Sequence, residues 1–308
     1  MTDADLLPWR FDDIAAFGSR PHVASHRLNE HPLFTNDSLA ELLDRVPRST
    51  VHTFTMGDDP LRLDDWRRGV ETDLPGKELL EIVERGRLWL NLVGINRQDA
   101  EVARLVDEVY DEVRALVPGF DPIRVSAALI ISSPGAMVYY HADNQPNLLW
   151  HIRGRKRAYV YPCSERFVSK ENLERMVAGA TDEELPFDAG YDDHAAVLDL
   201  DPGQVAWWPQ NSPHRVQNLD SMNVSLSTEH WTRSSLRREH VWTANYYLRT
   251  RLGQAPRSTR ERGVLPAAKV AAMRIGRRVG VLDPGERQGA RPSFRVDPSV
   301  PSGIGPLD

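Results

Sequence analysis

The 308-residue chain has almost no cysteine, since Cys163 is its single thiol. One cysteine cannot form an intrachain disulfide or a thiolate zinc cluster, so a disulfide-stabilised secreted fold and a zinc-finger class are excluded. Lysine is also scarce, because 34 of the 38 basic residues are arginine. A lysine is therefore an unusual cation in this chain, and Lys156 is one of only four.

The chain also lacks a long apolar segment. No uninterrupted hydrophobic run approaches the ~18 residues of a membrane-spanning helix. The first residues, MTDADLLPWRF, lack the basic-then-apolar order of a secretory signal. With 41% hydrophobic residues, the composition is that of a globular rather than a disordered protein. Together with the single cysteine, these features predict a protein of the reducing cytoplasm with no membrane partner.

Charge is distributed unevenly along the chain. Residues 233–308 hold 15 basic and 6 acidic residues, whereas the whole chain has a net charge of −6. A basic tail on an acidic body either binds nucleic acid or an acidic protein, or neutralises the body within one chain or across a dimer. No nucleic-acid-binding motif accompanies the charge, so nucleic acid is not the expected partner.

Hydrophobic periodicity divides the chain into three parts. Residues 1–120 predict a helical and irregular region that covers the core, with the clearest helix at 97–117. Residues 121–232 contain about eight short segments rich in β-branched and aromatic residues, which predict an antiparallel barrel or jelly roll. An acidic, partly helical insertion interrupts them at about 164–194. Residues 233–308 predict a basic helical arm and a loose tail.

One of the predicted strands contains His141-Ala142-Asp143. Side chains at i and i+2 point to the same face of a strand, so the imidazole and the carboxylate face one point. Another strand histidine, His214, follows far downstream. Two histidines and one carboxylate form the facial triad that holds non-heme Fe(II). Such a triplet alone is more often a histidine paired with a nearby aspartate, so both interpretations stay open on these residues.

The surrounding residues resemble the JmjC/cupin-like Fe(II)/2-oxoglutarate-dependent oxygenases, including the asparaginyl hydroxylase of hypoxia signalling and its bacterial relatives. From the triplet the chain reads HADNQPNLLWHIRGRKRAYVYP, and the shared positions are His141, Asp143, Asn147, Gly154, Lys156, Tyr159, Tyr161 and Pro162. A second block, PGQVAWWPQNSPHRVQN followed by VSLSTEHW, is similar to the family's second metal-ligand region. The resemblance implies a mainly β fold with flanking helices, a double-stranded β-helix (jelly roll) of the cupin/JmjC type. It also implies Fe(II), 2-oxoglutarate and O₂ as cofactor and co-substrates.

The resemblance carries residue roles as well. The metal ligands and catalytic residues that it implies are His141, Asp143 and His214, and the implied cofactor-binding residues are Lys156, Asn147, Tyr139 and Trp231. Lys156 would neutralise the distal carboxylate of 2-oxoglutarate. Alternation along its strand supports an inward side chain, because Ala158 and Val160 share its face.

The chain departs from the family at two positions. Val138 stands where close relatives have threonine, so the hydroxyl partner of Lys156 is left open among Ser133, Tyr139 and Tyr140. Glu229 stands where the asparaginyl hydroxylase has asparagine. That carboxylate either binds a cationic substrate or pairs with an arginine.

The predicted activity is that of a 2-oxoglutarate/Fe(II)-dependent dioxygenase, a hydroxylase of an unactivated C–H bond in a protein side chain, an amino acid or a small metabolite. Demethylation is the same chemistry on an N-methyl carbon, and the sequence does not separate the two. The acidic insertion favours a cationic substrate or forms a solvated face. Two alternatives stay open: a cupin-type metal enzyme that does not use 2-oxoglutarate, and a non-catalytic barrel that binds a ligand. A homodimer through the C-terminal helices is expected from the resemblance.

Overall fold

The computed structural model describes residues 5–254, 256, 258–282 and 291–307. Within these ranges the α-helices are α1 Phe11–Ala16, α2 Asn36–Arg45, α3 Gly76–Arg85, α4 Ala100–Leu116, α5 Lys170–Val177, α6 Arg233–Leu252 and α7 Val264–Arg278. The strands are β1 His22–Ser25, β2 Val51–Thr55, β3 Arg67–Gly69, β4 Trp89–Val93, β5 Ile123–Ser132, β6 Met137–His141, β7 Asn147–Arg153, β8 Lys156–Val160, β9 Ala196–Leu200, β10 Gln204–Trp207, β11 His214–Asn218, β12 Asn223–Trp231, β13 Pro292–Val296 and β14 Ile304–Pro306. None of the described helices has the length and apolar character needed to cross a bilayer.

Eight consecutive strands, β5 to β12, alternate between two sheets except at β8 and β9, which both lie in the smaller sheet. Strands β5, β7, β10 and β12 lie in the larger sheet, and the smaller sheet has the order β6-β11-β8-β9. All of the pairings among these eight strands are antiparallel. Two facing sheets built by such alternation form a double-stranded β-helix, so the predicted jelly-roll fold is confirmed.

The N-terminal region contributes strands to the larger sheet, whose order is β1-β10-β7-β12-β5-β4-β2-β3-β13-β14. The prediction that residues 1–120 are only helical and irregular is therefore wrong. Each of the four N-terminal strands has only three to five residues, too few for a clear alternating pattern. These strands matter for the site because β4 and β2 extend the larger sheet beyond β5 and so enlarge one wall of the barrel.

The C-terminal segment returns to the same sheet. Strand β13 pairs in parallel with β3, and Phe294 from β13 is fully buried. The predicted loose tail is therefore wrong for residues 291–307, while residues 283–290 and 308 lie outside the described residues. The boundaries drawn at 120 and 232 remain a prediction.

The main hydrophobic core lies on the outer face of the larger sheet, under helices α2, α3 and α4. Helix α4 begins close to the predicted position because the Asp99 carboxylate accepts hydrogen bonds from the backbone amides of Glu101 and Val102, at 3.1 and 3.0 Å. This packing leaves the inner face of the sheet free to form a cavity.

The predicted insertion lies between β8 and β9 and contains α5 and a short 3₁₀ segment, Ala189–His194. Part of it runs beside the edge strand β6. The amide of Ala142 donates to the Glu183 carbonyl at 3.1 Å, and the amide of Leu185 donates to the Tyr140 carbonyl at 3.0 Å. The insertion thereby places two consecutive glutamates, at 183 and 184, next to the end of β6.

Candidate metal centre and its cavity

Three predicted ligands meet at one end of the barrel. His141 ends β6, Asp143 follows it, and His214 begins the neighbouring strand β11, where it pairs directly with His141. One potential ligand atom from each side chain lies within 4.8 Å of the other two. The Nε2 atoms of His141 and His214 are 3.6 and 3.5 Å from the two carboxylate oxygens of Asp143. Two nitrogens and one carboxylate oxygen therefore converge on one point, as a facial triad requires.

Backbone carbonyls orient both imidazoles. The Nδ1 atom of His141 is 2.7 Å from the carbonyl oxygen of Tyr139, and the Nδ1 atom of His214 is 3.0 Å from that of Ser212. Because a carbonyl only accepts, each Nδ1 carries the proton and donates it. Each Nε2 then presents its lone pair to the shared point, which is the tautomer that a metal ligand needs.

Burial sets the charge state of the triad. Desolvation, together with the neighbouring His141, holds the pKa of His214 well below its ordinary value, so that its imidazole is neutral. Burial raises the pKa of Asp143, while His141 and a hydrogen bond from Asn147 act in the opposite direction. The neutral imidazole of His214 and the desolvated carboxylate of Asp143 are donors suited to a divalent cation such as Fe(II).

A cavity of about 300 Å³ opens between the two sheets, and the triad lines it. Lys156, on β8, also lines this cavity and is only 4% exposed. Within the described part of the chain its ammonium has no hydrogen-bond or ion-pair partner, and burial lowers its pKa to about 8. Its neighbour Arg157 points away and pairs with Asp199 at 2.6 Å. The structure therefore places at Lys156 a buried cation that faces the cavity and has no counter-ion, as the alternation of β8 predicts.

Asn147 also lies where the sequence predicts, against the triad. Its Nδ2 donates to the Asp143 carboxylate at 3.2 Å and to the Ser227 hydroxyl at 3.0 Å. Its Oδ1 is buried and has no hydrogen-bond partner in the described chain. Asn147 thus fixes the carboxylate ligand and offers a free acceptor at the cavity wall.

The remaining predicted residues lie in different places. Tyr139 lines the cavity, but its hydroxyl accepts a hydrogen bond from the Gly57 amide at 3.2 Å. Trp231 lies past a bulge in β12 and is not among the residues lining the cavity. Ser133 and Tyr140 are not among the residues that line the cavity with Lys156, and their hydroxyls donate to the backbone carbonyls of Val83 and Phe167.

Several cavity residues carry no local sequence signal. The inner wall includes Trp89 and Asn91 from β4, and Phe54 from β2 stacks on Trp66 with ring centroids 5.1 Å apart. These residues lie 50 to 90 positions before His141, and only the pairing of the N-terminal strands brings them to the site. The asparagine within the apolar segment WLNLV is the one anomaly that could have pointed to them.

Carboxylates form part of the wall. Glu183, Glu184 and Glu229 all line the cavity. The other acidic residues of the insertion differ, since Asp192 forms a 2.5 Å ion pair with Arg215 on the outside of the smaller sheet. Only part of the acidic insertion therefore faces the candidate site.

Comparison with known proteins agrees with this fold. No protein-family model and no curated protein matches the chain in sequence. The crystal structure of Escherichia coli YcfD superposes with a TM-score of 0.52 at 17% identity, over 87% of this chain and 67% of that one. YcfD in complex with cobalt and 2-oxoglutarate, described as a ribosomal oxygenase, gives 0.48 at 16% identity over 88% and 67% of the two chains. The cobalt and succinic acid complex gives 0.48 at 14% over 96% and 75%.

The two facing sheets define the class: this chain has the JmjC/cupin-type double-stranded β-helix. One solved protein that it resembles in fold is YcfD of Escherichia coli. At 17% identity this likeness establishes the fold, and the predicted resemblance is confirmed at that level.

Proposed function

We propose that this protein is an Fe(II)- and 2-oxoglutarate-dependent dioxygenase. One observation carries the proposal: a His-Asp-His facial triad shares a cavity with a buried ammonium that has no counter-ion among the described residues. A metal alone would need only the triad. The lone ammonium of Lys156 calls for an anion, and the distal carboxylate of 2-oxoglutarate supplies one.

The chain's own residues have distinct tasks in this proposal. His141, Asp143 and His214 would hold Fe(II), and Lys156 would bind and orient 2-oxoglutarate by its distal carboxylate. Asn147 would keep the Asp143 carboxylate turned toward the metal through its 3.2 Å hydrogen bond. When bound, iron and O₂ supply the oxidation, in which 2-oxoglutarate gives succinate and CO₂ while a substrate C–H bond is hydroxylated.

The proposed substrate offers an unactivated C–H bond in a protein side chain, an amino acid or a small metabolite. Hydroxylation is the proposed outcome, and demethylation would follow from the same oxidation of an N-methyl carbon. The cavity carboxylates Glu183, Glu184 and Glu229 favour a substrate with a cationic group. Raising the ionic strength should then raise KM for such a substrate, and a KM that is independent of salt would contradict this preference.

We also propose a homodimer through the C-terminal arm, in the reducing compartment that the single cysteine indicates. Helix α7 has an exposed apolar face that includes Leu265 and Ile275, at 58% and 64% exposure. The proposed occupant is a second copy, because the basic arm complements the acidic body of the chain.

Succinate formation tests the activity. Purified protein with Fe(II), ascorbate, O₂ and 2-oxoglutarate should form succinate slowly without added substrate, whereas His141→Ala should form none. Lys156→Met, which keeps an unbranched side chain of similar length and removes its charge, should also form none. Succinate formation that is unaffected by Lys156→Met would show that Lys156 does not bind 2-oxoglutarate. Wild-type protein that binds metal but neither binds 2-oxoglutarate nor forms succinate would favour a cupin-type enzyme that does not use 2-oxoglutarate. Wild-type protein with no activity and no metal binding would favour a binding module.

A further inference from the structure

Strand β4 contributes to the cavity lining a tryptophan whose hydrogen-bond donor is buried. Trp89 is 8% exposed and lines the cavity, and its Nε1–H has no acceptor within the described chain. Ring packing alone does not explain why a tryptophan stands at position 89. The indole packs on Phe54 with centroids 5.0 Å apart, which a phenyl ring could also do. A buried N–H without a partner costs free energy, so it points to an acceptor that arrives with a ligand.

Strand pairing places Trp89 in the same belt as Lys156. Trp89 pairs with Ser132 across β4 and β5. The Ser132 hydroxyl accepts a 2.8 Å hydrogen bond from Nδ2 of Asn218. This hydrogen bond connects the larger sheet to the smaller one. Asn218 pairs in turn with Lys156 across β11 and β8. These four residues all line the cavity and form one polar belt around it.

We propose that Trp89 is a binding residue whose Nε1–H donates to the distal carboxylate of 2-oxoglutarate, the group that Lys156 neutralises. This inference rests on the proposed function. A carboxylate has two oxygens and about four acceptor positions, more than one ammonium can satisfy. A donor from the facing sheet satisfies further positions and fixes the plane of the carboxylate, which a point charge such as ammonium does not do.

Binding calorimetry on Mn(II)-loaded protein tests the assignment without turnover. Trp89→Phe keeps an aromatic ring and removes the N–H. We expect it to weaken 2-oxoglutarate binding about 10-fold or more, because hydrogen bonds to charged groups are among the stronger ones. The binding of 2-oxobutanoate, which keeps the 2-oxo acid but has no distal carboxylate, should not change. Because no substrate is present in this titration, any loss of affinity in Trp89→Phe is a loss of binding to 2-oxoglutarate itself.

Trp242→Phe is the matched control. The Nε1 of Trp242 is likewise buried without a partner, but this residue belongs to α6 and does not line the cavity. Its substitution should leave the affinity for both ligands unchanged.

A second measurement needs no substitution. In the Zn(II)-loaded wild type, one of the eight indole N–H resonances should shift downfield with 2-oxoglutarate and stay in place with 2-oxobutanoate. Equal losses for the two ligands in Trp89→Phe, or no such resonance shift, would overturn the role of Trp89 and leave the proposed function intact. Wild-type protein that binds metal but not 2-oxoglutarate would overturn both.

Discussion

At the scale of single residues, Lys156 is the most informative side chain of the site. A buried ammonium without a partner is costly, and the lowering of its pKa to about 8 expresses that cost. Nothing in the described protein offsets it. The buried lysine is best explained by an anionic ligand, whose negative charge would replace the solvation that the ammonium loses on burial.

The lowered pKa of Lys156 predicts how 2-oxoglutarate binding depends on pH. Below pH 8 the ammonium is charged and binding should be strong and nearly constant. Above pH 8 the unliganded protein loses this proton, so the affinity should fall, by at most about tenfold per pH unit. Calorimetric titration of metal-loaded protein between pH 7 and pH 9.5 would measure the decline.

Lys156→Arg provides the control for this prediction. A guanidinium stays protonated throughout the range, so any residual affinity of the variant should be flat above pH 8. If the variant and the wild type lose affinity in parallel, a group other than Lys156 controls binding.

The metal ligands and Lys156 could be predicted from sequence because the residues around them resemble those of a known family, and because alternation along β8 supports an inward Lys156. His141 ends β6 and Asp143 lies two residues further on, and Lys156 shares its face of β8 with Ala158 and Val160. Trp89 could not be predicted, because its position depends on pairing between β4 and β5, which are separated in sequence by helix α4. No local pattern encodes that pairing.

At the scale of secondary-structure elements, the longer helices and the strands of residues 121–232 were predictable, and the short strands outside that range were not. Helix α4 has apolar residues at three- and four-residue steps over 17 residues, whereas β3 has only three residues and gains its identity from its neighbours. The C-terminal strand β13 was missed for the same reason. Its exposed and buried positions alternate over only five residues, and the surrounding segment is basic and contains proline.

Strand β13 should contribute substantially to stability although it lies near the end of the chain. Phe294 is fully buried in the main core, so Phe294→Ala should lower the free energy of unfolding by about 3–5 kcal/mol. Ser293→Ala changes an exposed position of the same strand and should have little effect. Urea unfolding followed by circular dichroism gives both values, and a loss below about 1 kcal/mol for Phe294→Ala would show that β13 does not pack as described.

At the scale of the whole molecule, the arm formed by α6 and α7 packs through polar contacts and leaves apolar surface outside. Glu239 is 5% exposed and accepts a 2.5 Å hydrogen bond from Arg277, and Lys269 donates to Asn245 at 2.6 Å. These buried pairs hold α7 against α6. The opposite side of α7 is apolar and exposed, which fits a surface that a second copy covers.

Disruption of that apolar face should separate the proposed dimer. Ile275→Glu places a charge at its centre and should halve the mass measured by multi-angle light scattering. Ala115→Glu introduces the same charge at an exposed position of α4, outside the arm, and should leave the mass unchanged. A wild-type protein that already scatters as a monomer would exclude the dimer.

The central claim is that one cavity binds a metal at the triad and 2-oxoglutarate beside it. Its most direct test is an anaerobic titration of the Fe(II)-loaded protein with 2-oxoglutarate, followed by visible absorption. We predict a new absorption band that requires both iron and 2-oxoglutarate, saturates at one 2-oxoglutarate per chain, and is absent from His214→Ala. Iron that binds the triad while 2-oxoglutarate causes no spectral change and does not bind would contradict the claim, and Lys156 would then need another anion.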